Sequence, residues 1–95
     1  MPAVTRLGDL CSGHGCWPPR PNIEASPNVY VNGIPVHRET DAWGTHCCPP
    51  PCHGSILQSG SSAVYINDLE CGRIGDPVAC GSLVAQGSSN VFAGG

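Results

Sequence analysis

The strongest constraint in this sequence is an internal repeat. Residues 26–41 and 61–76 each open on a small polar turn, continue as a valine–aromatic–aliphatic run and end in Arg-x-x-Asp. Residues 88–95 (SSNVFAGG) begin the same unit, and residues 6–9 supply its ending. A unit divided in this way between the two ends of the chain predicts a closed ring of three, with pseudo-threefold symmetry.

Each complete repeat carries a hairpin signal. Asn32 and Asn67 begin Asn-Gly and Asn-Asp pairs between short apolar runs, and pairs of this kind favour tight β-turns. The chain has 13 glycines and 10 prolines, which suit short strands joined by turns and disfavour helices. Apolar residues make up 40% of the sequence, enough for an ordered core. We therefore expect one all-β domain of short hairpins over residues 1–95.

Composition and charge argue against several classes of function. The net charge is −3 and all four basic residues are arginines without a basic patch, so a nucleic-acid-binding role is not expected. No apolar run approaches the roughly 20 residues of a membrane helix, so stable membrane insertion is not expected. The first ten residues lack the features of a signal peptide. We expect a protein made in the cytoplasm and exported by another route.

Three metal-binding side chains recur at one register of the repeat. Four or five residues after the closing aspartate of each unit stand His14, His46 and Cys80. Equivalent positions of a threefold ring converge at one end of its axis. The register therefore predicts that these three side chains share a metal ion.

A fourth ligand is expected from the segment HCCPPPCH, residues 46–53. His53 is the favoured candidate. The competing candidates are Cys47, Cys48 and Cys52. Imidazole and thiolate ligands in a tetrahedron suit Zn²⁺ best, and iron is the less favoured metal.

The remaining cysteines do not form a complete disulfide framework, because seven is an odd number. Three of them are expected to be small buried residues: Cys11, Cys16 and Cys71. If bridges form after export, the pairs considered are Cys16–Cys52 and Cys11–Cys48. His37 is expected at the surface or in a turn, and the pattern assigns no role to residues 16–22 (CWPPRPN).

Several segments together resemble the PAAR-repeat proteins, which are named after a Pro-Ala-Ala-Arg tetrapeptide. The matching segments are PVHR (35–38), ECGR (70–73), RIGDPVACGS (73–82) and GSSNVFAGG (87–95). The resemblance extends from Arg6 to Gly94. It implies a small cone of β-hairpins with a metal near the apex. It also implies that the domain binds the blunt end of a trimeric β-helical spike, in type VI secretion systems and contractile phage tails.

The resemblance implies specific residues and partners. The family's three histidines and one cysteine fall by motif position on His14, His46, His53 and Cys80. The implied function is a non-enzymatic, metal-stabilised tip that caps and sharpens the spike and aids envelope piercing, with one chain per trimer and effector cargo as a further partner. Such a tip is assembled into a phage tail or secreted by the injection machine, and the sequence does not distinguish the two.

Two other classes of protein were weighed. Three histidines on zinc with an open fourth position would make a hydrolase-like enzyme, but Cys80 as a ligand closes that position. The second alternative is a secreted binding module held together by disulfides. Seven free thiols in the denatured protein would exclude any bridge.

Overall fold

The computed structural model describes residues 1–49 and 51–95, so Pro50 of the predicted ligand segment lies outside the described residues. Over these described ranges, six strands form three antiparallel hairpins. They are β1 (Tyr30–Val31) with β2 (Ile34–Pro35), β3 (Ala42–Cys47) with β4 (Cys52–Ile56), and β5 (Tyr65–Ile66) with β6 (Leu69–Glu70). The described residues contain no helix, hence none long and apolar enough to cross a bilayer. The predicted all-β class is confirmed.

Two of the hairpins turn at the predicted asparagines. The central residues have positive φ in both turns: 56° at Asn32 and 75° at Gly33, then 54° at Asn67 and 67° at Asp68. Two successive left-handed residues are the signature of the type I′ turn, whose twist matches that of the paired strands. Asn and Asp tolerate this conformation better than other residues with a side chain, which explains the Asn-Asp pair.

A cycle of three backbone hydrogen bonds marks the threefold axis. Thr5 N–H donates to the Gly72 carbonyl (3.0 Å), Gly72 N–H to the His37 carbonyl (3.0 Å), and His37 N–H to the Thr5 carbonyl (3.2 Å). These residues occupy the same position in the three units, immediately before the repeated arginine. The expectation that His37 lies at the surface was therefore wrong. Its side chain is 0% exposed because it belongs to the axial ring.

The repeated Arg-x-x-Asp forms the same ion pair three times. Arg6, Arg38 and Arg73 bond through Nε to the carboxylate three residues ahead, at 3.1, 2.8 and 3.1 Å. In each unit the same carboxylate oxygen also accepts the arginine's backbone N–H. The side chain and backbone of each turn are thereby fixed together.

The polar turns that open the repeats are also equivalent. The hydroxyls of Ser26, Ser61 and Ser88 accept the backbone N–H groups two and three residues ahead, at 2.9–3.2 Å. Two of these serines then donate to the next unit's turn asparagine, Ser26 to Asn67 and Ser88 to Asn32. Ser61 donates instead to the carbonyl of Gly94, so residues 88–95 complete the ring.

The buried apolar side chains form two clusters. One surrounds the axis and comprises Val4, Val36, Cys71 and Ala93. The other comprises Cys11, Trp43, Leu57, Val78 and Val84, with Cys80 packed against it. The second cluster supports the candidate metal site.

Candidate metal centre

The β3–β4 hairpin carries two of the four predicted ligands. His46 lies directly opposite His53 in the strand register, and Cys47 lies opposite Cys52 in the next pair toward the turn. The sequence pattern did not predict these two strands. Directly opposed residues have neighbouring side chains, so the pairing brings the two imidazoles together.

A β-bulge aims His46 inward. The register shifts between Trp43 and His46, where Gly44 and Thr45 face the single residue Gly54. Residues three apart on a regular strand point to opposite faces, yet Trp43 and His46 are both buried. The extra residue reverses the alternation and turns His46 toward the core side of the hairpin.

The other two ligands come from tight turns. His14 and Trp17 exchange backbone hydrogen bonds of 3.0 and 2.8 Å across a two-residue turn that begins at Gly15, where φ is 54°. Cys80 lies in a turn closed by Val78 N–H donating to the Ser82 carbonyl at 2.8 Å. Both side chains are therefore held by short, well-bonded loops.

The structure brings all four predicted side chains together. Their potential ligand atoms all lie within 4.8 Å of one another. The Nε2 atom of His53 is 3.2 Å from Nε2 of His14 and 2.6 Å from Nε2 of His46, and Sγ of Cys80 is 4.0 Å from Nε2 of His46. The edges of a zinc tetrahedron are roughly 3.3–3.6 Å for Zn–N near 2.0–2.1 Å and Zn–S near 2.3 Å. The 3.2 Å separation is close to this range, whereas the 2.6 Å separation is shorter and the 4.0 Å separation is longer.

The protonation states favour metal binding. A backbone carbonyl only accepts, so the 2.7 Å bond from His46 Nδ1 to Pro18 O places a proton on Nδ1 and leaves the Nε2 lone pair facing the cluster. Burial lowers the pKa of His14 and of His53, and electrostatic repulsion from the neighbouring imidazole of His46 and from the Arg20 charge lowers both further. Neutral imidazole is the form that ligates metals.

The sulfur ligand is prepared in a similar way. Burial raises the pKa of the Cys80 thiol, but hydrogen bonds from the Ser82 backbone, from Arg20 and from nearby hydroxyls outweigh it, so the pKa falls below its usual value. Arg20 Nη2 lies 3.5 Å from Cys80 Sγ. Three neutral imidazoles and a thiolate fit a borderline-soft divalent ion such as Zn²⁺.

Residues 16–22, to which the sequence assigned no role, include three contacts with the ligand residues. The Trp17 ring covers His53, with centroids 4.0 Å apart, the Pro18 carbonyl bonds His46, and Arg20 bonds Cys80. Hydrogen-bonded groups behind the ligands fix their orientation. No local signal reveals this function, because each contact depends on the folded chain.

The cysteines differ from expectation. The structure pairs Cys16 with Cys48 and Cys47 with Cys52. The pairs considered from the sequence were therefore wrong, and so was the burial of Cys16, which is exposed. Cys11 and Cys71 are free and buried, as predicted, and Cys80 is free. The hairpin brings Cys47 and Cys52 together, a proximity hidden when the segment is taken as a loop.

Comparison with known proteins gives consistent results. Residues 12–86 match the PAAR motif family. The chain is 33% identical over 79 residues to the NAD(P)(+) glycohydrolase toxin Tse6 of Pseudomonas aeruginosa strain PAO1, and equally to the (p)ppApp synthetase toxin Tas1 of Pseudomonas aeruginosa strain UCBPP-PA14. Each match covers 77% of this chain and 18% of the relative, so the chain spans about a fifth of the relatives' length. With the family match extending over most of its residues, the chain belongs to the PAAR motif family.

Proposed function

We propose that this domain is a metal-stabilised tip that caps the trimeric β-helical spike of a contractile injection machine. The observation that carries the proposal is the convergence of His14, His46, His53 and Cys80, from three separate segments of the chain, in a ring of three repeated units. Such a cluster stabilises a small domain whose own core is limited. Mechanical stability is what a tip that aids envelope piercing requires.

The proposed metal is zinc, and its role is structural. A catalytic zinc site keeps one position open for water or substrate, whereas structural sites use four protein ligands. Four donors from this chain complete the tetrahedron. The closed set favours a stabilising site over a hydrolase.

The symmetry of the domain supports the proposed partner. Three equivalent units around one axis allow a single chain to present similar contacts to each subunit of a trimer. Exposed strand edges are liable to pair with other chains, and a β-helical spike end could cover them. We infer a complex of one chain with three spike subunits.

The relatives support a delivery role. Two toxins named for different reactions share the same degree of similarity with this chain, over 18% of their length. A segment common to different enzymes is better suited to carry either activity than to perform it. We infer that the domain is secreted with its spike, carries effector cargo, and serves a type VI secretion system rather than a phage tail.

Native mass spectrometry tests the proposal directly. The chain would be mixed with a trimeric β-helical spike fragment of a type VI secretion apparatus. In the control, a monomeric β-rich protein of similar size replaces the spike fragment. The expected species contains one chain, one zinc ion and three spike subunits. A metal-free chain would contradict the proposed metal site, and a chain that does not bind the trimer would contradict the proposed partner.

A further inference from the structure

Arg20 differs from the other three arginines. Those each pair with an aspartate three residues ahead, whereas Arg20 forms no ion pair with a carboxylate among residues 1–49 and 51–95. It is nevertheless only 4% exposed. A buried guanidinium without an anionic partner is unfavourable, so its surroundings must compensate the charge.

The compensating groups are two sulfur atoms. Arg20 Nη1 lies 3.1 Å from Cys11 Sγ and Nη2 lies 3.5 Å from Cys80 Sγ. The third donor, Nε, bonds the Gly44 carbonyl at 2.5 Å, and the guanidinium carbon is 5.4 Å from the centroid of the Trp43 ring. Each of the three guanidinium nitrogens therefore has one hydrogen-bond partner, and two of those partners are cysteines.

The backbone of Arg20 fixes the direction of the side chain. Its carbonyl accepts the Cys11 N–H at 3.0 Å, and the Gly44 N–H donates to the carbonyl of the next residue, Pro21, at 2.9 Å. Arg20 thus joins the His14 loop, the β3 bulge and the Cys80 turn. An arginine with only a structural role would donate its hydrogen bonds to carbonyl oxygens. Here the two terminal nitrogens donate to two different sulfur atoms, an arrangement that suits a site containing a thiolate.

We propose that Arg20 is the positioning residue of the metal centre, acting through Cys80. The inference rests on the proposed metal site, in which Cys80 binds as a thiolate. The hydrogen bond from Nη2 directs Cys80 Sγ toward the histidine nitrogens and draws electron density from the sulfur. Cys11 Sγ accepts the hydrogen bond from Nη1, the other terminal nitrogen, and so keeps the guanidinium in place.

Cobalt substitution provides the test. Co²⁺ bound by a thiolate shows a sulfur-to-metal charge-transfer band whose energy depends on hydrogen bonds to the sulfur. In Arg20→Met the band is expected to move to lower energy, because the sulfur becomes a better donor. The affinity for the metal is expected to fall roughly 10–100-fold, the effect usual for groups behind the ligands.

The matched control is Arg6→Met, since Arg6 bonds Asp9 and Asn32 and contacts none of the four ligands. Its band should equal that of the unmodified chain. A folded Arg20→Met protein with an unmoved band overturns the inference, whether or not its affinity changes. If Arg20→Met does not fold, Arg20→Ala, which also lacks the donor, decides: a moved band supports the inference, and an unmoved one overturns it.

The two proposals fail in different ways. If the unmodified chain takes up neither Zn²⁺ nor Co²⁺, the metal site itself is wrong, which is visible before any variant is compared. If the unmodified chain binds one ion and the Arg20 variants have the same band, only the role of Arg20 is wrong.

Discussion

His37 lies on the threefold axis with one ring nitrogen bonded and the other buried. Nδ1 donates to the Glu24 carbonyl at 2.7 Å, while Nε2 has no hydrogen-bond partner in the described part of the chain. The ring packs edge-on against Trp43, with centroids 5.0 Å apart. Burial lowers the pKa of His37, and the Glu24 carbonyl and the Asp41 charge offset this only in part. His37 is therefore a neutral core residue.

The lowered pKa of His37 predicts a pH-dependent stability. Below the ordinary value of 6.5 the unfolded chain takes up a proton that the folded chain resists, so the free energy of unfolding falls as the pH decreases toward the folded pKa. His37→Gln removes this proton uptake and keeps a donor for Glu24. Melting temperatures measured from pH 7.5 to 5 should fall more steeply for the unmodified chain than for the variant. Parallel curves would contradict the assignment.

At this scale, the clustering of the four side chains could be predicted but their surroundings could not. His14, His46 and Cys80 share a repeat register, which is a property of the sequence. The partners of Arg20 come from segments up to 60 residues away, and no spacing indicates them. His37 was misplaced because histidine is usually exposed, and only the ring shows that its position is axial.

The β3–β4 hairpin is the element that shapes the site. Two disulfides flank its ligands, one joining Cys47 to Cys52 beside the His46–His53 pair and one joining Cys48 to Cys16 in the His14 loop. The hairpin and the neighbouring loop are thereby linked covalently. Oxidation restrains three of the four ligand segments even in the absence of metal.

The bridges predict different losses of stability. The Cys16–Cys48 bridge spans 32 residues and the Cys47–Cys52 bridge spans 5, for which loop entropy gives about 3–4 and ~2 kcal/mol. Urea unfolding of the metal-free chain should show a larger loss for Cys16→Ser/Cys48→Ser than for Cys47→Ser/Cys52→Ser. In the oxidised chain, denaturant should expose three reactive thiols. Seven reactive thiols would show that neither bridge forms.

The hairpins were predictable to different degrees. The Asn-Gly and Asn-Asp pairs are local signals, and both turns form where they stand. Strands β3 and β4 carry no such signal, because proline dominates the segment between them and Gly44 interrupts the alternation. The bulge at Gly44 is stabilised by a contact with Pro21, which is remote in the sequence.

In the whole molecule the proposed metal connects segments that the repeats alone leave apart. The ligands extend from residue 14 to residue 80, and the axial ring links residues 5, 37 and 72. The ring and the proposed metal would thus close the chain at two places. Structural zinc contributes on the order of 10 kcal/mol in small domains, so a bound zinc ion would supply most of the stability.

Removing the metal is therefore expected to destabilise the entire domain. A chelator, or Cys80→Ser, should lower the melting temperature far more than Cys71→Ala, which removes a buried thiol from the axial cluster. Burial raises the pKa of Cys71 to about 11, so it stays protonated and contributes packing alone, about 1 kcal/mol. Circular dichroism melts with and without zinc measure both effects. Similar losses for the two variants would contradict a metal-dependent fold.

The axial ring also governs how these positions can evolve. Threonine, histidine and glycine occupy three equivalent places, and a Cβ added at Gly72 would lie 2.9 Å from the His37 carbonyl and from Thr5 Cγ2. Leu57 Cδ2 lies at the same 2.9 Å, and the His37 contact is with backbone that no exchange of side chain removes. A larger residue at position 72 is therefore expected only where positions 5 and 57 carry smaller side chains. Drift at the axis would then proceed by compensating exchanges of volume among these three positions.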